Sequence, residues 1–175
     1  MTNADAIVRD ETPADIAAIR ALITQAFKDA THASGTEAAI VDALRARGEL
    51  TLSLLAETNG DMAAHAAFSP VTVGERNEGW FGLGPVATVA QSRRRGLADA
   101  VIRAGLERLR AAGAIGCVVL GEPAYYARFG FEVDPAIRYP HAPAEYFMAL
   151  RFKHDAGGSE TGGDVRYSPA FEAVG

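Results

Sequence analysis

The chain's chemistry concentrates in the stretch Val86-Ala87-Thr88-Val89-Ala90-Gln91-Ser92-Arg93-Arg94-Arg95-Gly96-Leu97-Ala98. A strand-like run ends, a basic turn with one glycine follows, and an amphipathic helical pattern begins at once. The first amides of a helix have no intrahelical partner and carry the positive end of its dipole. A turn that aims those amides outward is an anion site, best matched to a phosphate or pyrophosphate. Gly96 lets the backbone approach such a group closely, and Ala98 is small enough to do the same. Arg93, Arg94 and Arg95 add positive charge beside the amides. A plain helix start with solvated arginines has the same composition, so physics alone implies a phosphate-bearing ligand and no more. Two phosphate motifs are excluded: no Gly-Lys-Ser/Thr follows as in a Walker loop, and the glycine triplet of a dinucleotide fingerprint is missing.

Other reactive side chains are scattered. Tyr125, Tyr126, Phe129 and Phe131 form an aromatic group of the kind that usually builds a core. Tyr125 is read as packing. His65 stands in a small, apolar strand pattern with Ser69 on the same face by the two-residue alternation. A histidine in that setting is more often structural, but it is one candidate base. Glu37 is the other, although its spacing from Ser34 already fits a capping box. Glu122 belongs to a solvated turn. His32, His141 and His154 fall in loops, and no group of His, Cys or carboxylates has metal-ligand spacing, so no metal is expected.

These residues need elements to position them. Ala6 to Arg9 reads as a strand, and Ile16, Ile19, Leu22, Ile23 and Phe27 recur at helical spacing. Ile40, Val41 and Leu44 give a second helix that Gly48 ends. Leu50 to Glu57 and Met62 to Phe68 flank Asn59-Gly60, a strong hairpin signal, and Ser69-Pro70 interrupts the second strand. Trp80 to Val89 is a strand with Gly84-Pro85 in its middle. Proline cannot donate there, so a bulge or splay is expected. Leu97 to Ala112 is the clearest helix, and Ile115 to Leu120 is a buried strand. A short helix over Ala124 to Phe129 follows, then strands starting at Phe131 and running from Glu145 to Phe152. The order predicts an α/β fold: one domain over residues 1–152, with a mixed central sheet flanked by helices. Residues 153–175 form a Gly-rich loop and a last segment. Val165, Tyr167 and Phe171 in it predict docking on the same domain.

Composition bounds the rest. The 175 residues are 49% hydrophobic and 22% charged, enough for a sizeable core. The net charge of -5 gives no support for a nucleic-acid partner. The start lacks a basic n-region and a long apolar stretch, and no run suits a spanning helix. Cys117 is the only cysteine and reads as a buried core thiol. Together these predict a cytoplasmic protein with no membrane partner.

Arg93-x-x-Gly96-x-Ala98 resembles the Gln/Arg-x-x-Gly-x-Gly/Ala signature of the GNAT superfamily of N-acetyltransferases. Leu83-Gly84-Pro85-Val86-Ala87-Thr88-Val89 and Gly121-Glu122-Pro123-Ala124-Tyr125-Tyr126-Ala127-Arg128-Phe129-Gly130-Phe131 extend the likeness, which is similar to the YhbS-like group within it. The resemblance implies acetyl-CoA as co-substrate, an amine acceptor, and direct acetyl transfer. It implies that amides from Arg93 to Ala98, Leu97 included, hold the pyrophosphate. It also implies that Val86, Ala87 and Thr88 offer their backbone to the pantetheine arm, and that Tyr126 is the general acid at the departing thiolate. Arg94 stands where many members have glycine, and Gly121-Glu122 stands where many have a cofactor-contacting asparagine. A non-catalytic acetyl-CoA-binding module is the alternative reading, and a homodimer is left open.

Overall fold

Asn59 and Gly60 both hold positive φ, 53° and 83°, as a two-residue type I′ turn demands. The turn joins β2 (Leu52–Thr58) to β3 (Asp61–Pro70) as an antiparallel pair. β1 (Ala6–Asp10) lies against the outer edge of β2, and β5 (Trp80–Thr88) against the far edge of β3. From β5 the chain crosses through α3 (Leu97–Ala111) to β6 (Gly116–Leu120), which runs parallel to β5. Such a connection needs a helix-length crossover, and α3 supplies it. β8 (Phe147–Arg151) completes a six-stranded sheet in the order β1-β2-β3-β5-β6-β8. The short strands β4 (Thr72–Val73), β7 (Ile137–Arg138) and β9 (Gly163–Arg166) form a second sheet with β9 in the middle. The computed structural model describes residues 6–28, 35–90, 96–152 and 162–172. The α/β class, the mixed sheet and the splayed strand are as the sequence predicts.

Each face of the sheet buries a different layer. α3 lays Leu97, Val101, Ile102, Leu106 and Leu109 on Leu54, Ala64, Ala66, Phe68 and Val119. It lies close because Gly105 has no side chain: a methyl group there would come within 2.2 Å of Phe68 Cε2. On the opposite face, α1 (Ile16–Phe27) and α2 (Glu37–Ala46) pack Ile19, Ile23 and Val41 on Leu55, Ala67 and Ala87. The small sheet covers Trp80, Val118 and Phe147 with Val73, Ile137 and Val165. A 3₁₀ turn at Pro169–Phe171 places Ala170 against Ile40 and Leu44. Among the described residues, no helix is long and apolar enough to cross a membrane.

Two local expectations are corrected. The box at Ser34 and Glu37 is not among them, since Ser34 lies outside the described residues; α2 begins at Glu37 with Thr36 as its cap residue, so Glu37 opens the first turn. The first bond of that helix, Ile40 N to Thr36 O at 2.9 Å, sets this register. The strand at Phe131 reduces to a single bridge between Glu132 and Ala149. Pro135, Pro140 and Pro143 deprive the following segment of ladder donors. For the same reason the last strand starts at Phe147, after a 3₁₀ turn at Ala144–Tyr146, rather than at Glu145.

Candidate active site

The helix α3 begins directly at a left-handed residue. Gly96 precedes it with φ 77° and ψ 12°, and the first intrahelical bond is Ala100 N to Gly96 O at 3.0 Å. The amides of Leu97, Ala98 and Asp99 therefore have no acceptor within the helix. Leu97 is buried and anchors the turn to the core, while Ala98 is half-buried. Arg93, Arg94 and Arg95 lie outside the described residues.

Beside this turn the central sheet opens. β5 pairs with β6 from Trp80 opposite Gly116 to Leu83 opposite Val119, and among the described residues no strand pairs that edge further. At Gly84-Pro85 β5 also bulges against β3, with Ala66 opposite Val86 and Phe68 opposite Leu83. The extra residue on β5 is taken up by this bulge. Among the described residues, Val86, Ala87 and Thr88 pair with β3 alone. Ala87 is buried, and Val86 and Thr88 are half-buried.

Tyr126 lies just beyond the end of β6. It ends the short helix α4 (Pro123–Tyr126), and its ring lies on Gly121, where a methyl group would come within 2.4 Å of Cε2. A side chain at position 121 would displace that ring, which explains why glycine stands there. Phe131 packs edge-on at 6.1 Å between ring centres. Burial pushes the phenol up to about 12, so it carries its proton at neutral pH. Among the described residues its hydroxyl has no hydrogen-bond partner, which leaves the donor available. Tyr125 is more than packing: its hydroxyl donates to Asp99 Oδ1 at 2.7 Å, across to the first turn of α3.

His65 sits on the far face of β3, opposite Ala87 of β5. It is fully buried, with Nε2 2.8 Å from Ser53 Oγ. Ser53 in turn donates to Glu11, which accepts two bonds of 2.8 Å from Arg45. Among the described residues, His65 Nδ1 and Ser69 Oγ are buried without a partner. Glu37 lies in the first turn of α2, Glu122 stands at the cap of α4, and His141 is exposed. His32 and His154 lie outside the described residues. Among the described residues, no three His, Cys, Asp or Glu side chains converge as a metal site.

Residues 8–133 match the family model described as Acetyltransferase (GNAT) domain. The chain belongs to the GNAT acetyltransferase family. It is 37% identical to the N-acetyltransferase YhbS of Escherichia coli over 161 residues, 89% of this chain and 93% of that one. A GNAT family acetyltransferase from Brucella melitensis, solved in complex with acetyl-CoA, is 43% identical with a TM-score of 0.82, covering 95% of this chain and 97% of that one. The structure of Escherichia coli YhbS in complex with CoA gives 36% identity and a TM-score of 0.85, over 98% and 94% of the two chains.

Within this GNAT chain, Asp99, Ser53, Glu11 and Arg45 are polar partners that the sequence does not point to. None carries a local signal, because each meets its partner across the fold. Their electrostatics make one prediction. Burial pushes His65 down to about 4 from the ordinary 6.5. Burial also raises Glu11, but bonds from Arg45 and Ser53 outweigh it and hold that carboxyl below its ordinary value. Between pH 6.5 and 4 the unfolded chain binds a proton that the folded chain refuses. Stability is therefore complete above 6.5 and falls as the pH drops, by about 1.4 kcal/mol per unit. Urea unfolding at about pH 7.5 and about pH 5.5 should show this loss, and His65→Gln should remove it. An equal loss in the variant would assign the slope to other groups.

Proposed function

We propose that this chain moves the acetyl group of acetyl-CoA directly to a primary amine. The observation that carries the reading is the opening of β5 from β6 beyond Leu83, together with amides at the start of α3 that have no acceptor within the helix. The residues present fit the co-substrate. Gly96, Leu97 and Ala98 offer amides to the pyrophosphate, with Arg93, Arg94 and Arg95 supplying charge. Val86, Ala87 and Thr88 offer a free strand edge, to which an amide-bearing arm adds much as a strand would. Acetyl-CoA supplies an activated acyl group when bound. Tyr126 gives its phenolic proton to the departing sulfur, and the amine loses one proton on becoming an amide. His65 is a poor taker of that proton, since its burial disfavours the cation; Glu37, in the first turn of α2, or water is the better match.

Thermal stabilisation tests the binding half. Acetyl-CoA at about 100 times its dissociation constant should add about 2.7 kcal/mol, visible as a raised melting point, and ATP or NAD should not. Release of CoA thiol across a panel of small amines, polyamines and peptides tests the transfer half. Stabilisation without turnover on any acceptor would favour an acetyl-CoA-binding module.

A further inference from the structure

α4 has four residues, too few to hold its own orientation. Yet it carries Tyr126, and its placement over Gly121 must come from elsewhere. The polar ties lead to α3. Asp99, three residues after Gly96, accepts from the Tyr125 hydroxyl at 2.7 Å and from Arg128 Nη1 at 3.3 Å. Arg128 Nε donates to the Tyr125 carbonyl at 3.0 Å, and its guanidinium lies 4.4 Å from the centre of the Tyr125 ring. The Tyr125 ring then stands edge-on to Tyr126, with centres 4.9 Å apart. One carboxylate in the first turn of α3 thus fixes both flanks of the residue next to Tyr126.

We propose that Asp99, Tyr125 and Arg128 form a latch that positions Tyr126 relative to the start of α3. The inference rests on the proposed acid role of Tyr126. Tyr125 touches no reacting atom in this arrangement and acts through its neighbour. Because Asp99 belongs to the same turn as the amides of Leu97 and Ala98, the phosphate site and the acid share one anchor. The negative charge of Asp99 is partly met by Arg128, which lessens its repulsion of an anion at that turn.

A double-mutant cycle in the release of CoA from acetyl-CoA, with water and with the most reactive panel amine as acceptors, tests the latch. Tyr125→Phe should lower turnover about ten-fold while the KM for acetyl-CoA stays within about two-fold, as misplacement of a catalytic group does. In a Tyr126→Phe background the same change should have no further effect, because the residue it positions has lost its proton. Asp99→Ala should behave like Tyr125→Phe, and Asp99→Asn, which still offers an oxygen, should recover most of the loss. Additive losses in the cycle would overturn the latch and leave the acid role standing. Normal turnover of Tyr126→Phe would overturn both. A crystal structure of Asp99→Ala gives a readout independent of activity: the Tyr126 ring should have left Gly121, and an unmoved ring would overturn the latch.

Discussion

Gly96→Val is expected to weaken acetyl-CoA binding about 100-fold while the fold survives. The position holds φ 77° and ψ 12°, a left-handed conformation in which a β-branched side chain is an outlier. The variant escapes by rotating the backbone, and the amides of Leu97 and Ala98 then no longer point at a common anion. Returning to the bound geometry costs about 1–3 kcal/mol of strain, or about 5–150-fold in dissociation constant. The upper end applies because two branch methyls also stand where the backbone must approach the ligand. The fold is spared because Gly96 only caps α3, whose buried face starts at Leu97 and runs to Leu109. Isothermal titration with acetyl-CoA gives the affinity, and far-ultraviolet circular dichroism with thermal melting reports the fold. An affinity equal to the parent's would remove the turn from the binding site.

Tyr126→Phe should lower turnover about 100-fold and leave acetyl-CoA affinity almost unchanged. Help from a general acid is worth roughly 10²–10⁴-fold, and a thiolate is a fair leaving group, which sets the effect at the low end. Binding is spared because the ring keeps its seat on Gly121 and against Phe131. Only the hydroxyl goes, and no described partner depends on it. The phenol is held protonated up to about 12 by burial, so its loss of proton should not limit the parent's rate at any pH below about 10. Steady-state kinetics of parent and variant, with the dissociation constant measured in parallel, decide the matter. Turnover equal to the parent's would return Tyr126 to the aromatic core.

Local chemistry by itself determined much of this protein. Asn59-Gly60 specified a hairpin, Gly84-Pro85 a break in a central strand, and the apolar positions of α3 the helix that covers one face. The basic turn before α3 reads from the sequence as an anion site, and the structure gives Gly96 a left-handed backbone there. Each of these rests on bonds among residues a few positions apart, so composition and spacing suffice to state them. Other features were decided only by the tertiary structure. The link from Tyr125 to Asp99 spans 26 positions, and the path from His65 through Ser53 to Glu11 spans 12 and then 42. The empty side of Gly121 is explained only by a ring that folding brings over it. Which polar groups meet depends on how α3, α4 and the sheet close on one another, and that closure is set by the packing of the whole core rather than by any short run of residues.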